Sequence, residues 1–255
     1  MTIQKNPIPI LEFDPNPIAV IAPDHEQLAI QLPKKAVFAF LENVTEEYAI
    51  KHHAKQVAEY SSVTKTYPIY VTDYQGHQVC LVQAPVGAAA ATAILEFLIA
   101  YGVEEVISAG CCGALEDIAE NTFLIPFKAL RDEGTSYHYK EATRFVEMNR
   151  RALKAIERAL SYHQLPYQEV TTWTTDGFYR ETKDMVAYRK EEGCAVVEME
   201  CAALAACAEM RNIIWGQILF TADTLVNLDQ YDTRSWGEDS FEDALILCLD
   251  AVINI

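Results

Sequence analysis

Residues 78–109 read QVCLVQAPVGAAAATAILEFLIAYGVEEVISA and hold a complete strand–helix–strand unit. The run 78–84 is apolar enough for a buried strand. Residues 88–100 form an unbroken helical stretch that Gly102 stops, and 105–109 (EVISA) read as a second strand. A helix between two short apolar strands predicts a crossover connection, which sets the strands parallel in a sheet covered on both faces.

The alternation continues outward from this unit. Residues 36–41 (AVFAFL), 68–72, 122–126, 167–175, 195–197 and 213–222 read as strands. Residues 45–60, 148–163, 200–210 and 241–254 read as helices. A turn at Gln75-Gly76 joins two of the strands, and Gly110-Cys-Cys-Gly113 reads as a glycine-bearing turn after EVISA. The pattern predicts an α/β fold: a single-domain, three-layer α/β/α arrangement around a central mixed, largely parallel sheet. Pro7, Pro9, Pro15 and Pro17 crowd the start and predict an extended N-terminal arm, residues 1–20, ahead of one catalytic domain at 21–255.

Composition narrows the classes. The chain has 255 residues, 51% hydrophobic and 22% charged, and a formal net charge of −17. So acidic a surface repels nucleic acid and anionic lipid, and neither is an expected partner. Seven cysteines show no zinc-type spacing, so they read as reduced, mostly buried thiols and no metal is expected. The start has no apolar signal core and no run of 18 apolar residues occurs, so the expected location is cytoplasmic.

Open α/β sheets bind ligands at the carboxyl ends of their strands. The residues just past those ends are Gly110, Cys111 and Gly113; Asp176 to Arg180; Glu198, Met199 and Glu200; and Asp223. Carboxylates, an aromatic pair and a glycine turn together suit a neutral polar ligand with a ring. Glu200 opens a helix, whose N-terminus favours an ionised carboxylate; it either complements the helix dipole or accepts from two vicinal hydroxyls such as those of ribose. Asp223 follows a buried strand and is either a turn cap or, with its pKa raised by desolvation, a general acid. Phe178 and Tyr179 either pack in the core or stack on a base.

Several ordered motifs resemble the purine nucleoside and uridine phosphorylases of the trimeric and hexameric type. They are Val197-Glu-Met-Glu200 before a small-residue helix, WTTDGFY at 173–179, Asp223 placed 23 residues after Glu200, and Ala109-Gly-Cys-Cys-Gly-Ala114. RDEGTSYHY at 131–139 resembles a segment of the uridine enzymes. The resemblance spans roughly residues 70 to 255. It implies that Phe178 stacks on the base, with Tyr179 beside it. Val197, Glu198 and Met199 line the substrate site, with Met199 beneath the ribose, and Glu200 holds the ribose hydroxyls. Asp223 protonates the leaving base, and Gly110 and Cys111 lie by the phosphate.

The departures fall on the anion. The family's N-terminal phosphate loop is missing, with Ala22-Pro-Asp-His-Glu26 in its approximate place, and Ser108 stands where an arginine is expected. The leading expectation is reversible phosphorolysis of a nucleoside, purine favoured over uridine, to free base and ribose 1-phosphate. Arg131, Arg180, Lys34 and Lys35 are then the substitute phosphate cations. The alternatives are a nucleosidase that uses water, and a non-catalytic nucleoside-binding protein. No cofactor is expected beyond inorganic phosphate as co-substrate. The expected partners are nucleoside, phosphate and further copies of the chain, as a dimer building to a hexamer.

Overall fold

The computed structural model describes residues 3–255. The strand–helix–strand unit is β4 (His77–Gln83), α2 (Ala88–Ala100) and β5 (Glu105–Ala114). α2 begins after Gly87 and ends before Gly102, whose backbones lie at φ +102° and +117°. That left-handed region admits glycine without strain and ends the helix on the residue the sequence marks. The one acid on the helix's buried side, Glu96, is satisfied by a forked pairing with Arg211 at 2.7–2.9 Å.

Before this unit come β1 (Lys35–Ala39), α1 (Val44–Lys51), β2 (Lys55–Ser61) and β3 (Thr66–Tyr74). After it come β6 (Phe123–Asp132), β7 (Phe145–Glu147), α3 (Arg150–Tyr162), β8 (Tyr167–Thr175) and α4 (Lys183–Glu191). β9 (Cys194–Glu198), α5 (Cys201–Arg211), β10 (Ile214–Thr224) and α6 (Phe241–Val252) complete the chain. β1 pairs in parallel with β4 and β5, β10 with β5, and β8 with β6 and β9. β2–β3, β3–β4, β5–β9, β6–β7 and β6–β10 are antiparallel. The mixed sheet therefore closes on itself through β5, β10, β6, β8 and β9, with β1, β4, β3 and β2 extending from one side. One core packs α2 and α5 on the sheet, and a second packs α1, α3 and α6 on the other face. These are the three layers.

The structure corrects two expectations. The predicted helix over 45–60 stops at Lys51; His53 turns at φ +55°, and residues 55–61 form β2. The β-branched and aromatic residues Val57 and Tyr60 pack on the α2 side of the core, which a continued helix could not achieve. The predicted turn at Gly110 to Gly113 is instead the second half of β5. It stays extended because Cys111 and Cys112 face Phe220 and Thr221 of β10, while Gly113 faces Val197 of β9. A side chain at Gly113 would meet Val197 and Leu225 at 3.0 Å, so glycine is what lets three strands converge there. α4 and β7 were not foreseen.

Residues 3–34 are mostly irregular, apart from a 3-10 turn at Pro9–Leu11. Leu32 is buried against the core, and Arg211 also donates to the Pro17 carbonyl. Among the described residues, no helix is long and apolar enough to cross a membrane.

Candidate active site

The carboxyl ends of β1, β4, β5, β8, β9 and β10 open on one cavity of about 630 Å³. Phe40 and Glu42 follow β1, while Gln83, Ala84 and Val86 come from the end of β4. Gly110 to Gly113 form its β5 wall. Phe178 and Glu181 follow β8. Val197 to Glu200 span the β9–α5 junction. Gln217 and Asp223 belong to β10, and Trp236 and Phe241 close the side. The structure thus brings together Gly110, Cys111, Phe178, Val197, Glu198, Met199, Glu200 and Asp223, eight residues predicted from separate motifs.

The two glutamates at the β9–α5 junction differ in what is left for a ligand. Glu198 is saturated. One oxygen accepts from the Thr174 and Thr172 hydroxyls at 2.6 and 3.2 Å, and the other from the Glu200 and Cys201 amides at 2.8 and 2.6 Å. It caps α5 and ties the helix to β8, so its predicted substrate contact gives way to a structural role. Glu200 accepts one backbone bond, from the Gly87 amide at 2.5 Å, through Oε1 alone. Burial, with the negative Glu198 beside it, pushes its carboxyl up to about 8. It is therefore mainly protonated near neutral pH. This reverses the expectation of an ionised Glu200, because desolvation outweighs the pull of the helix N-terminus.

Asp223 is also buried, and burial raises its carboxyl above the ordinary value; its Oδ2 accepts from the Tyr231 hydroxyl at 3.0 Å. Burial and the Asp223 charge push Glu181 up to about 7. Cys111 is pushed up to about 11 by burial, Asp223, Glu200 and Glu42, so it stays a thiol rather than a nucleophilic thiolate. Phe178 is 40% exposed and offers its ring to the cavity. Tyr179, at 92% exposed, faces an adjoining cavity of about 310 Å³ that shares Phe178, Glu181 and Asp223.

The four predicted phosphate cations lie elsewhere. Lys34 pairs with Glu104, and Lys35 with Glu105 and the Val252 carbonyl, at the amino end of β1. Arg131 is buried within its own loop: Nε donates to Ser136, Nη1 to the Glu141 carbonyl and Thr143, and Nη2 to the Lys140 carbonyl. The RDEGTSYHY segment is thus an arginine-latched loop. Arg180 is exposed and packs its stem over Gly177. Residues 22–26 do not line the cavity, whereas the β1–α1 connection does, through Glu42. Among the described residues no lysine, arginine or histidine lines the main cavity, whereas Glu42, Glu181, Glu198, Glu200 and Asp223 do. Lys183 lines only the adjoining cavity and pairs with Asp229.

Sequence reasoning missed Glu42, Glu181, Gln217 and Trp236. Glu42 is within reach of the strand-end rule, since it directly follows the predicted strand at 36–41. Gln217 lies inside a strand, and no local motif marks it. Among the described residues no cluster of three or more metal-ligating side chains occurs.

The sequence profile of the phosphorylase superfamily matches residues 35–254. A guanosine phosphorylase of Halorubrum lacusprofundi is 25% identical over 202 residues, 76% of this chain and 84% of that protein. An uncharacterized protein of Acanthamoeba polyphaga mimivirus is 27% identical over 154 residues; the match covers 60% of this chain and 58% of that protein's length. Among solved structures, an AMP nucleosidase from Bacteroides thetaiotaomicron superposes with a TM-score of 0.71 at 24% identity, covering 87% of this chain and 88% of the other. At that identity the likeness speaks for the fold.

Proposed function

This chain belongs to the phosphorylase superfamily, and on that premise we propose that it hydrolyses the N-glycosidic bond of a purine ribonucleoside, with water as the nucleophile. The observation that carries this reading is the lining of the cavity: five carboxyl groups and no cation among its described lining residues. At an effective dielectric near 20, two like unit charges about 4 Å apart repel by about 4 kcal/mol. A phosphate dianion would meet that repulsion from Glu42 at the mouth of the β1–α1 connection. Water meets none, and neither does an uncharged nucleoside, so a 5′-phosphorylated substrate is disfavoured for the same reason.

In this reading Phe178 stacks on the base, Met199 packs under the ribose and Glu200 bonds the ribose hydroxyls. Asp223 supplies the proton that the departing base takes up, its raised pKa keeping that proton available. Glu42 accepts the proton of the attacking water as the oxocarbenium-like centre at C1′ collects its oxygen. A purine suits Asp223 because a ring nitrogen is within the chemistry of a carboxylic acid donor. The related protein named a guanosine phosphorylase supports the same base class.

A second reading, phosphorolysis, is favoured by one contact. The exposed Lys65 ammonium donates at 3.0 Å to Oε1 of Gln83, a residue that lines the cavity. A rotation of that side chain would give phosphate a single cation. Product analysis separates the two: free ribose supports hydrolysis, and ribose 1-phosphate overturns it in favour of phosphorolysis. Assembly into dimers and hexamers remains part of the proposal, and the solution mass of the purified chain tests it.

A further inference from the structure

The adjoining cavity of about 310 Å³ has no part in the chemistry described above. It shares Phe178, Glu181 and Asp223 with the main cavity, and these three stand where the two spaces meet. Its other walls include Tyr179, Leu225, Leu228 and Tyr231. Tyr179, Leu228 and Tyr231 are large side chains that the fold leaves exposed, and they converge on this one hollow. Exposed apolar side chains gathered around a concavity mark a ligand site. The Phe178 and Tyr179 rings meet edge to face at 4.9 Å, so the aromatic surface continues from one space into the other. The one cation in the lining, Lys183, is exposed and paired with Asp229. Away from Glu181 and Asp223 the hollow therefore offers an apolar surface and no unpaired charge. An apolar cavity of about 150 Å³ holds a benzene ring, so this one has room for a ring or a branched chain.

The shared residues tell which part of the substrate reaches it. Phe178 and Asp223, which meet the base in the reading above, line both spaces. Met199 and Glu200, which meet the ribose, line only the main cavity. The hollow thus opens from the base end and does not serve a 5′ substituent. The chemistry of a purine narrows this further. When N9 departs with its bonding pair, the other imidazole nitrogen, N7, takes the proton, and Asp223 faces that nitrogen. C8 lies between N7 and N9, on the ribose side. The exocyclic group at C6 lies on the far side and shares the N7 edge. A group carried on that exocyclic nitrogen leads past Asp223, in the direction away from the ribose.

We propose that the adjoining cavity binds an apolar substituent on the 6-amino group of the purine, so that adenosines carrying a benzyl or branched alkenyl group on that nitrogen are substrates. This rests on the reading of Phe178 and Asp223 as the base end. It holds whether water or phosphate is the nucleophile. The apolar walls take the substituent out of water, and the one N–H left on the exocyclic nitrogen donates to Glu181.

The test is the initial rate of base release by the full chain from adenosine, inosine and N6-benzyladenosine, each with and without phosphate. The same rates are read for Leu228→Trp, which fills the hollow from an exposed loop, and for Leu228→Ala, which leaves it open. With the unmodified chain, kcat/KM for N6-benzyladenosine is expected to equal or exceed that for adenosine, with a KM lower by on the order of tenfold from burial of the ring. Leu228→Trp should lower kcat/KM for N6-benzyladenosine by on the order of tenfold, with adenosine within about twofold. Leu228→Ala should keep N6-benzyladenosine as the better substrate. A kcat/KM for N6-benzyladenosine below that of adenosine or inosine overturns the inference alone. So does a Leu228→Trp protein that loses both substrates equally or neither. Release from none of the three nucleosides overturns the purine reading and this inference with it.

Discussion

At the amino ends of β1 and β5, Lys34, Lys35 and Arg151 meet Glu104 and Glu105, and Arg151 also reaches the Ile255 carbonyl. At the carboxyl end of the sheet, Glu42, Glu200 and Asp223 share a cavity whose described lining holds no lysine or arginine. These cations are held in ion pairs at the end of the sheet away from the chemistry. Net charge is a property of the whole surface, whereas a ligand feels the lining it enters. Here the described lining offers carboxyl groups and no cation, and that disfavours an anionic nucleophile.

Breaking the acidic end should have the largest effects. Asp223→Asn keeps the shape of the residue but removes the transferable proton. Turnover of a purine nucleoside should fall by about a hundredfold or more, read by the rate of base release. A rate within a few-fold of the unmodified chain would remove the proton-donor role. Glu200→Gln keeps an acceptor for the Gly87 amide and turns a donor toward the ribose, so the group can no longer ionise to accept from both hydroxyls. KM should rise by on the order of tenfold, seen as weaker saturation at constant enzyme.

Arg131 sharpens the comparison from outside both ends. As a phosphate ligand it would change the rate; as a loop latch it changes stability. Arg131→Ala should cost about 2–4 kcal/mol in denaturant unfolding, by leaving a buried network of acceptors unpaired. The rate per folded molecule should be unmoved at any phosphate concentration.

The acidic end should also give the protein a pH signature. Glu200 and Glu181 are raised from 4.5 to about 8 and about 7. The folded state therefore holds protons that the unfolded state has released, and stability falls as pH rises from about 4.5 through about 8. The thermal midpoint should drop by several degrees across that window, and the double variant Glu181→Gln with Glu200→Gln should flatten the slope. At the other end, Lys34→Ala breaks only an exposed pair, and neither midpoint nor rate should move measurably.

How much of this was readable in advance followed from how local each signal is. α2 and β8 match their predicted bounds, because glycines or alternating polarity mark their ends within a few residues. The second half of β5 did not read as a strand. Gly110 and Gly113 look like turn residues until β9 and β10 arrive to pair with them, and that is a long-range event. Glu200, Asp223 and Phe178 were legible because each sits in a motif at a strand end. Lys34 and Lys35 were chosen by residue type. Strand direction alone sets them apart, since they stand at the start of β1 and the site lies past its far end. The saturation of Glu198 became visible only once partners could be counted.

The central claim is that water, not phosphate, is the nucleophile in an anion-repelling cavity. The most direct test is the initial rate of base release from a purine nucleoside, measured in phosphate-free buffer and across a phosphate titration at constant ionic strength. The account predicts full turnover without phosphate and a rate that does not rise as phosphate is added. A rate that is zero in phosphate-free buffer and saturates with added phosphate would contradict it.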